Sequence, residues 1–352
     1  MSLMGAGSTV YGMHLEHGAY AHATFMANRV KEITTEREPA SQWTCPDPWD
    51  PDTPWLLSSP PRRLWVIHDA MVHVPSGSIL VCDLEYNHAR VVGVVAGSQP
   101  QMIEDVHLGR LRSRVRSGGH LGGLILPIAQ MSNYWHWTVE VLPMLVRASR
   151  YGERVGQSVT VLVSEDLNSW QRDCLGFLGL TWRLSNKEFL PVERALLLSR
   201  PGILPFSNLD AAQLRRFREV VHVPIDVKLK NGSKVMISRA GSRRFTDDLR
   251  IVEEVLAARG WQVLRTEELT LEQEVSSLSQ ARVVVGANGA GLVNMAWMPP
   301  GSHVIELAYS AFWHATTPNL AYVLGHRYDL VVMDYSNPMA IVSEVERLAD
   351  AI

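Results

Sequence analysis

The chain is poor in cysteine: Cys45, Cys82 and Cys174 are the only three in 352 residues. Three scattered cysteines cannot build a disulfide framework, and their spacing fits no metal site. A reduced, cytosolic protein fits this usage. No apolar run approaches the roughly 20 residues of a membrane span. Met1 to Val10 lacks a basic stretch followed by an apolar core, so it does not read as a secretory signal. Neither sign of charge is in excess: 33 Lys and Arg face 36 Asp and Glu, for a net charge of −3. That balance gives no electrostatic footprint for nucleic acid. Gly-x-Ser-x-Gly, the Walker loop and His-Glu-x-x-His are all missing. So is Asp-x-Asp at a strand end, the usual means of bridging a diphosphate through a metal. Anion neutralisation would then fall to arginines and helix dipoles, with no metal and no resident cofactor. The expected location is the cytoplasm, with peripheral association at the inner face of a membrane compatible.

What is present centres on Ala281 to Leu307. Arg282 to Val285 is a short β-branched run that reads as a buried parallel strand. Gly286, Gly289 and Gly291 form a turn bare of large side chains. Leu292, Val293, Ala296 and Trp297 follow at helical spacing, and Pro299, Pro300 and Gly301 stop the helix. Ser302 to Leu307 reads as a second strand. A turn of this kind lets a ligand approach the backbone. The N–H groups of Gly289, Ala290, Gly291 and Leu292, at the positive end of the helix, suit a phosphate. Glu306 lies about 20 residues beyond Gly286, where such units often place an acid that bonds a ribose hydroxyl. The spacing is Gly-x-x-Gly-x-Gly and so departs from the dinucleotide fingerprint. A plain strand-to-helix turn reads from the residues equally well.

At this length two domains are expected. Residues 1–60 read as an irregular arm, with a short polar helix around Ala23 to Thr35 and then prolines interleaved with Trp43, Trp49 and Trp55. Leu64 to Ile67, Met71 to Val74 and Ser78 to Cys82 predict a small antiparallel element. Strands at Leu121, Val159 and Ala195 then alternate with helices at Ser169 and Leu209. These assign 61–222 to one α/β domain. The polar stretch 223–233 reads as a linker. From Lys234 the alternation resumes and defines 234–352 as a second α/β domain, giving two doubly wound domains that face a cleft.

Two further stretches carry chemistry. Ser238 to Asp248 places Arg239, Arg243 and Arg244 on a loop that leaves the carboxyl end of a strand. Guanidinium forks match phosphate oxygens, so diphosphate binding is the favoured use, with a solvated basic loop as the bland one. In Asn133 to Pro143 a helix starting near Asn133 puts His136 and Glu140 four apart on one face. That pair could be a general base with its orienter, a metal site, or a structural pair on a packed helix. Tyr134, Trp135 and Trp137 favour a pocket wall over solvent.

Together these residues resemble glycosyltransferase family 61, which includes plant β-1,2-xylosyltransferases and O-linked-mannose and extracellular O-GlcNAc transferases. The resemblance runs from about Gly118 to Met333. It is carried by Asn133-Tyr-Trp-His-Trp with Glu140 and Pro143, by Ile237-Ser-Arg239 with Arg243 and Arg244, by Gly286-Ala-Asn-Gly-Ala-Gly-Leu with Asn294, and by Pro300-Gly-Ser with Glu306. It implies a GT-B-like fold of two Rossmann-like domains and an inverting transfer from a nucleotide-sugar donor. The acceptor would be a glycan or lipid-linked glycan, as in surface polysaccharide assembly. It places the donor on Arg239, Arg243, Arg244, Asn288, Gly289, Ala290, Gly291, Leu292 and Glu306, and the base at His136 or Glu140. Asn288 stands where the family usually has His. Arg250-Ile-Val-Glu-Glu254 lacks the usual Asn. Alternative readings are an NAD-dependent oxidoreductase, which gives no reason for clustered arginines, and a catalytically silent sugar-binding protein.

Overall fold

The computed structural model describes residues 30–32, 41–45, 55–59, 64–83, 88–94, 120–129, 132–198, 209–221, 233–240, 246–312, 315–333 and 337–351. The chain divides into two compact units, each assembled from separate stretches. The first takes Met1–Ser41, Ser59–Ser132 and Glu140–Ile203; the second takes Gln42–Ser58, Asn133–Val139 and Leu204–Ile352. The 223–232 part of the expected linker lies outside the described residues, as do Arg243, Arg244 and Trp313.

Strand β1 is Val30–Glu32, where the composition suggested a helix; its pairing to a core strand overrides the weak local preference. Strands β2 (Ser41–Cys45) and β3 (Trp55–Ser59) pair as a two-stranded ribbon inside the stretch expected to be irregular. In the first unit, β4 (Leu64–His73), β5 (Ser78–Asp83), β6 (His88–Val94), β7 (Leu121–Pro127), β8 (Val159–Val163), β9 (Thr181–Leu184) and β10 (Phe189–Leu198) join β1 in one eight-stranded sheet. The order is β6-β5-β4-β10-β7-β8-β9. The two short runs read at Leu64 and Met71 are one strand, which passes through the exposed Asp69 at φ 49°. Asp tolerates the left-handed region, so the polar break in the pattern is a local kink, not a turn. The expected antiparallel element is thus not separate. β4 pairs antiparallel with β5 and β10, while β10, β7, β8 and β9 run parallel. The sheet is mixed, with an antiparallel half that departs from the doubly wound pattern expected for 61–222.

A short helical turn α1 (Tyr134–His136) continues as a π-turn over Trp137–Val141 and then as α2 (Leu142–Val155). Asn133 caps it: its side chain accepts from the N–H of Trp135 at 2.9 Å and of His136 at 3.3 Å. Helices α3 (Ser169–Phe177) and α4 (Ala211–Val220) follow.

The second unit contains a five-stranded, wholly parallel sheet made of β11 (Ser233–Ile237), β12 (Gln262–Leu264), β13 (Ala281–Ala287), β14 (His303–Ala308) and β15 (Arg327–Val332). Val283, Val284 and Val285 are all buried, because helices cover both faces of a parallel sheet. One face packs Leu249, Val252 and Leu256 of α5 (Asp247–Ala258), with Ile341, Val342, Val345 and Leu348 of α8 (Pro338–Ala349), against Met236, Val285, Ile305 and Val331. Helices α6 (Leu271–Leu278) and α7 (Thr316–Leu324) lie between these in the chain. Among the described residues no helix is long and apolar enough to cross a membrane.

The strand order β12-β11-β13-β14-β15 decides where a ligand belongs. The chain leaves β11 for one edge, returns across it, and builds the rest of the sheet from β13 outwards. The connections from the carboxyl ends of β11 and β13 therefore diverge. In open parallel sheets that divergence opens a crevice, and it is where ligands sit.

Candidate functional site

Arg239 follows β11, and the turn Asn288–Gly289 follows β13, so the two lie at the carboxyl ends of the strands whose connections diverge. The guanidinium of Arg239 donates to the backbone carbonyl of Asn288. It lies so close over Gly289 that a Cβ there would meet its Nη1 at 2.5 Å. Gly289 also has φ 154°, which other residues adopt only with strain. The φ favours glycine at this position, and a Cβ there would also push the Arg239 guanidinium, the far end of a flexible side chain, out of its place. The Arg239 N–H faces Glu253 Oε1 of α5 at 3.3 Å. Arg239 is thus already woven into the turn that the sequence assigned to phosphate. Thr246 caps α5 by accepting from the Leu249 N–H at 3.3 Å.

The helix after the turn is a 3-10 helix, Ala290–Trp297. Its tighter winding takes one amide from the expected anion set: the Leu292 N–H donates to the Gly289 carbonyl at 3.1 Å. Gly289, Ala290 and Gly291 keep the amides at its open end. The helix is otherwise sunk in the unit, with Leu292 to Trp297 all buried. Its poorly paired carbonyls are met from outside. Arg218 Nη1 of α4 donates to the Met298 carbonyl at 2.6 Å, and His326 Nε2 lies 3.0 Å from the Met295 carbonyl. Burial pushes the His326 imidazole down to about 4, which leaves it neutral and donating through Nε2.

Glu306 departs from its expected place. It is 0 % exposed, and both carboxylate oxygens are engaged. Asn288 Nδ2 donates to Oε1 at 2.7 Å, Thr317 Oγ1 to Oε1 at 3.0 Å, and Tyr328 Oη to Oε2 at 2.6 Å. The carboxylate faces the interior of the unit rather than the crevice, so no face of it is open to a ribose. It holds the Asn288 amide instead, with Nδ2 inward and therefore Oδ1 on the opposite branch. Asn288 N–H completes the clamp on the Leu307 carbonyl at 2.8 Å. Position beyond the glycine turn was a sound signal for an acid. It could not tell that the strand would turn this acid inward.

His136 and Glu140 also part company. His136 is exposed on α1, while Glu140 is 3 % exposed within the π-turn. Contact density assigns them to different units, since Asn133–Val139 belongs with the second. The structure thus leaves His136 exposed and buries Glu140. Trp137, expected in a pocket wall, is 1 % exposed and packed inside. π-turns inside helices often mark functional sites, since the extra residue in the turn re-aims the side chains around it.

What anchors the His136 turn was not legible in the sequence. Tyr134 Oη lies 2.6 Å from Glu274 Oε2 of α6 and 2.8 Å from Asn294 Oδ1 of the 3-10 helix. Trp297 Nε1 donates to the same Asn294 oxygen at 2.8 Å. Burial pushes the Glu274 carboxyl up to about 7, against the lowering effect of Tyr134. Thr-x-x-Gln at Thr270 and Gln273 closes a capping box on α6, which fixes the helix that presents Glu274. Among the described residues no group of three or more His, Cys, Asp or Glu could hold a metal ion.

Residues 134–305 match the family described as Glycosyltransferase 61. The match includes Tyr134, His136, Arg239, Glu274 and Asn288 and stops one residue before Glu306. No curated protein matches the chain.

Proposed function

The chain belongs to glycosyltransferase family 61 through residues 134–305, and on that premise we propose that it transfers a sugar from a nucleotide-sugar donor to a hydroxyl of a glycan or lipid-linked glycan, inverting the anomeric carbon. The observation that carries this reading is the placement of Arg239 and the Asn288–Gly291 turn on either side of the β11/β13 divergence. One cation and the amides of Gly289, Ala290 and Gly291 lie after the carboxyl ends of β11 and β13, where a parallel sheet takes its ligand. The donor diphosphate fits that set, and Arg243 and Arg244 follow Arg239 in the sequence. Asn288 Oδ1, held outward by Glu306, accepts from a hydroxyl of the donor.

In the transfer, His136 removes the proton of the acceptor hydroxyl. The acceptor oxygen bonds to the anomeric carbon as the bond from that carbon to the diphosphate oxygen breaks. Arg239 and the turn amides meet the charge that develops on the leaving diphosphate. Glu140, being buried, acts on the π-turn that orients His136 and not on the substrate. Since fixed protein groups meet the charge, transfer should persist in EDTA; loss in EDTA restored by manganese would overturn that part.

Titration calorimetry with UDP, GDP and NAD tests the binding reading. A nucleoside diphosphate should bind and NAD should not. Tight binding of NAD alone would favour an oxidoreductase. Mass spectrometry of nucleotide released from a panel of nucleotide sugars and glycan acceptors then tests the transfer. Binding without release in any combination would leave a sugar-binding protein.

A further inference from the structure

The contacts around Tyr134 contain one proton too few for the bonds their distances require. Trp297 Nε1 is only a donor, so the Asn294 atom 2.8 Å from it must be the carbonyl oxygen Oδ1. That oxygen carries no proton, so Tyr134 Oη, 2.8 Å away, must donate to it. A phenol has one proton, and this contact uses it. Yet Tyr134 Oη also lies 2.6 Å from Glu274 Oε2. Two oxygens that close without a proton between them repel. The contact is a hydrogen bond only if the carboxyl supplies the proton.

We propose that Glu274 is a neutral carboxylic acid that donates to Tyr134, and that the resulting chain Glu274–Tyr134–Asn294–Trp297 is the positioning device for the turn that carries His136. Four side chains from three elements then form one network that converges on the Asn294 oxygen: Glu274 donates to Tyr134, and Tyr134 and Trp297 both donate to Asn294. It fastens α1 to α6 and to the 3-10 helix of the donor turn, all within the second unit. The burial of Glu274 points the same way, since it pushes the carboxyl up to about 7 and the Glu267 charge adds to the rise. Among the described residues the ionisable groups around Glu274 are Tyr134 from α1 and Glu267 from the turn before α6. Ala290–Trp297 carries none, and His136 lies on the exposed part of α1. Among the described residues no cation contributes to its shift, and Tyr134 is the group there that favours the ionised form.

The sign of the pH effect follows. The folded carboxyl titrates near 7, above its ordinary value of 4.5. The stability it contributes is full below the ordinary value and is lost as pH rises through about 7. On ionisation the phenol turns its proton to the carboxylate, Asn294 loses its second donor, and the network is broken between Tyr134 and Asn294.

The experiment compares wild type with Glu274→Gln, whose amide N–H can replace the acid proton at Tyr134. Between pH 5 and pH 9 the wild-type unfolding constant should rise on the order of 10²-fold relative to that of the variant. Subtracting the two profiles removes what His136 and other groups contribute to both. Parallel profiles would overturn the proposal. A second measurement covers the case of a variant that does not fold: infrared spectra of wild type. A protonated-carboxyl carbonyl band should be present at pH 6 and absent at pH 9; a spectrum without the band at pH 6 overturns the assignment. The link to His136 rests on the proposed base role and is read separately. Tyr134→Phe should lower kcat at least 10-fold with less change in KM for the donor. Unchanged kcat would overturn the positioning role while the stability and infrared results still stand. Loss of the base role itself would show as full activity in His136→Ala.

Discussion

Two turns of the second unit carry the proposed chemistry, and each is fixed by one buried carboxyl held in an opposite way. Glu306, under the Asn288–Gly291 turn, collects an amide N–H and two hydroxyls. Glu274, under the Asn133–Trp137 turn, meets one phenol whose proton is wanted elsewhere. Both are almost wholly buried, at 0 % and 7 % exposed. Depth is therefore not what separates them. A carboxyl surrounded by donors is served as an anion, and one short of donors is served as an acid. The consequence is a division of labour. The donor-side turn has an anchor rich in donors, and the His136 turn has an anchor whose carboxyl is pushed by burial up to about 7.

The sharpest test of that division removes the group the second turn presents. His136→Ala should lower turnover by about 10²–10⁴-fold. Donor affinity and melting temperature should stay near wild type, because the side chain is exposed and the diphosphate is held by the other turn. Glu140→Gln should show the reverse balance, with a lower melt and a milder loss of turnover, because Glu140 is buried. If His136→Ala instead lowers the melt and leaves turnover per folded molecule intact, the second turn is only packed structure.

Next in size is the first anchor itself. Glu306→Ala leaves the inward Asn288 amide, Thr317 and Tyr328 without their acceptor. At about 1–3 kcal/mol for each stranded buried group, incompletely additive, the loss should be about 3–5 kcal/mol in chemical denaturation. Glu274→Ala removes one donor to Tyr134 and leaves its bond to Asn294, and should cost about 1–2 kcal/mol at pH 6. Equal losses would erase the contrast between a carboxyl rich in donors and one that is poor in them.

These anchors also show where sequence reading stops. The parallel unit was legible nearly strand by strand, because β-branched runs such as Val283–Val285 have one use in a protein of this composition. Strands and helices alternate from Lys234 on, as the pattern there suggested. The ten-residue β4 read as two strands, because Asp69 breaks the apolar pattern while the backbone continues through it. In the site, residue types were legible and directions were not. Arg239, Gly289 and Asn288 are brought together as their loops suggested. Glu306 pointed inward because the strand alternation at one residue decides its face, and Glu274 was passed over. Its partner Tyr134 is 140 residues away in sequence, and no local spacing connects them.

A smaller effect tests the donor-side turn as a binding site rather than a fold element. Arg239→Ala should weaken UDP binding by about 10–100-fold, the worth of one charge-assisted contact of roughly 1.5–3 kcal/mol. Uridine should lose far less, because it carries no diphosphate. Arg239 also donates to the Asn288 carbonyl, so a modest fall in melting temperature should accompany the loss. Equal weakening of uridine and UDP in calorimetry would leave Arg239 as a brace alone.

The smallest expected effect comes from restoring at Asn288 the residue that usually stands there in the family. Asn288 Nδ2 is the branch atom that donates to Glu306 Oε1 at 2.7 Å. In histidine the ring nitrogen Nδ1 occupies the same branch position and can carry a proton. Asn288→His should therefore keep the bond to Glu306, with the rest of the ring directed outward from the partly exposed position. Unfolding free energy should stay within about 1 kcal/mol of wild type, and UDP affinity within about 10-fold. The new imidazole would sit beside a carboxylate and titrate above its ordinary range, so the turnover profile should gain one further ionisation. A loss as large as that of Glu306→Ala would mean that the turn selects Asn288 for its size. In that case Glu306 would be matched to one amide alone, and its anchor would be the less tolerant of the two.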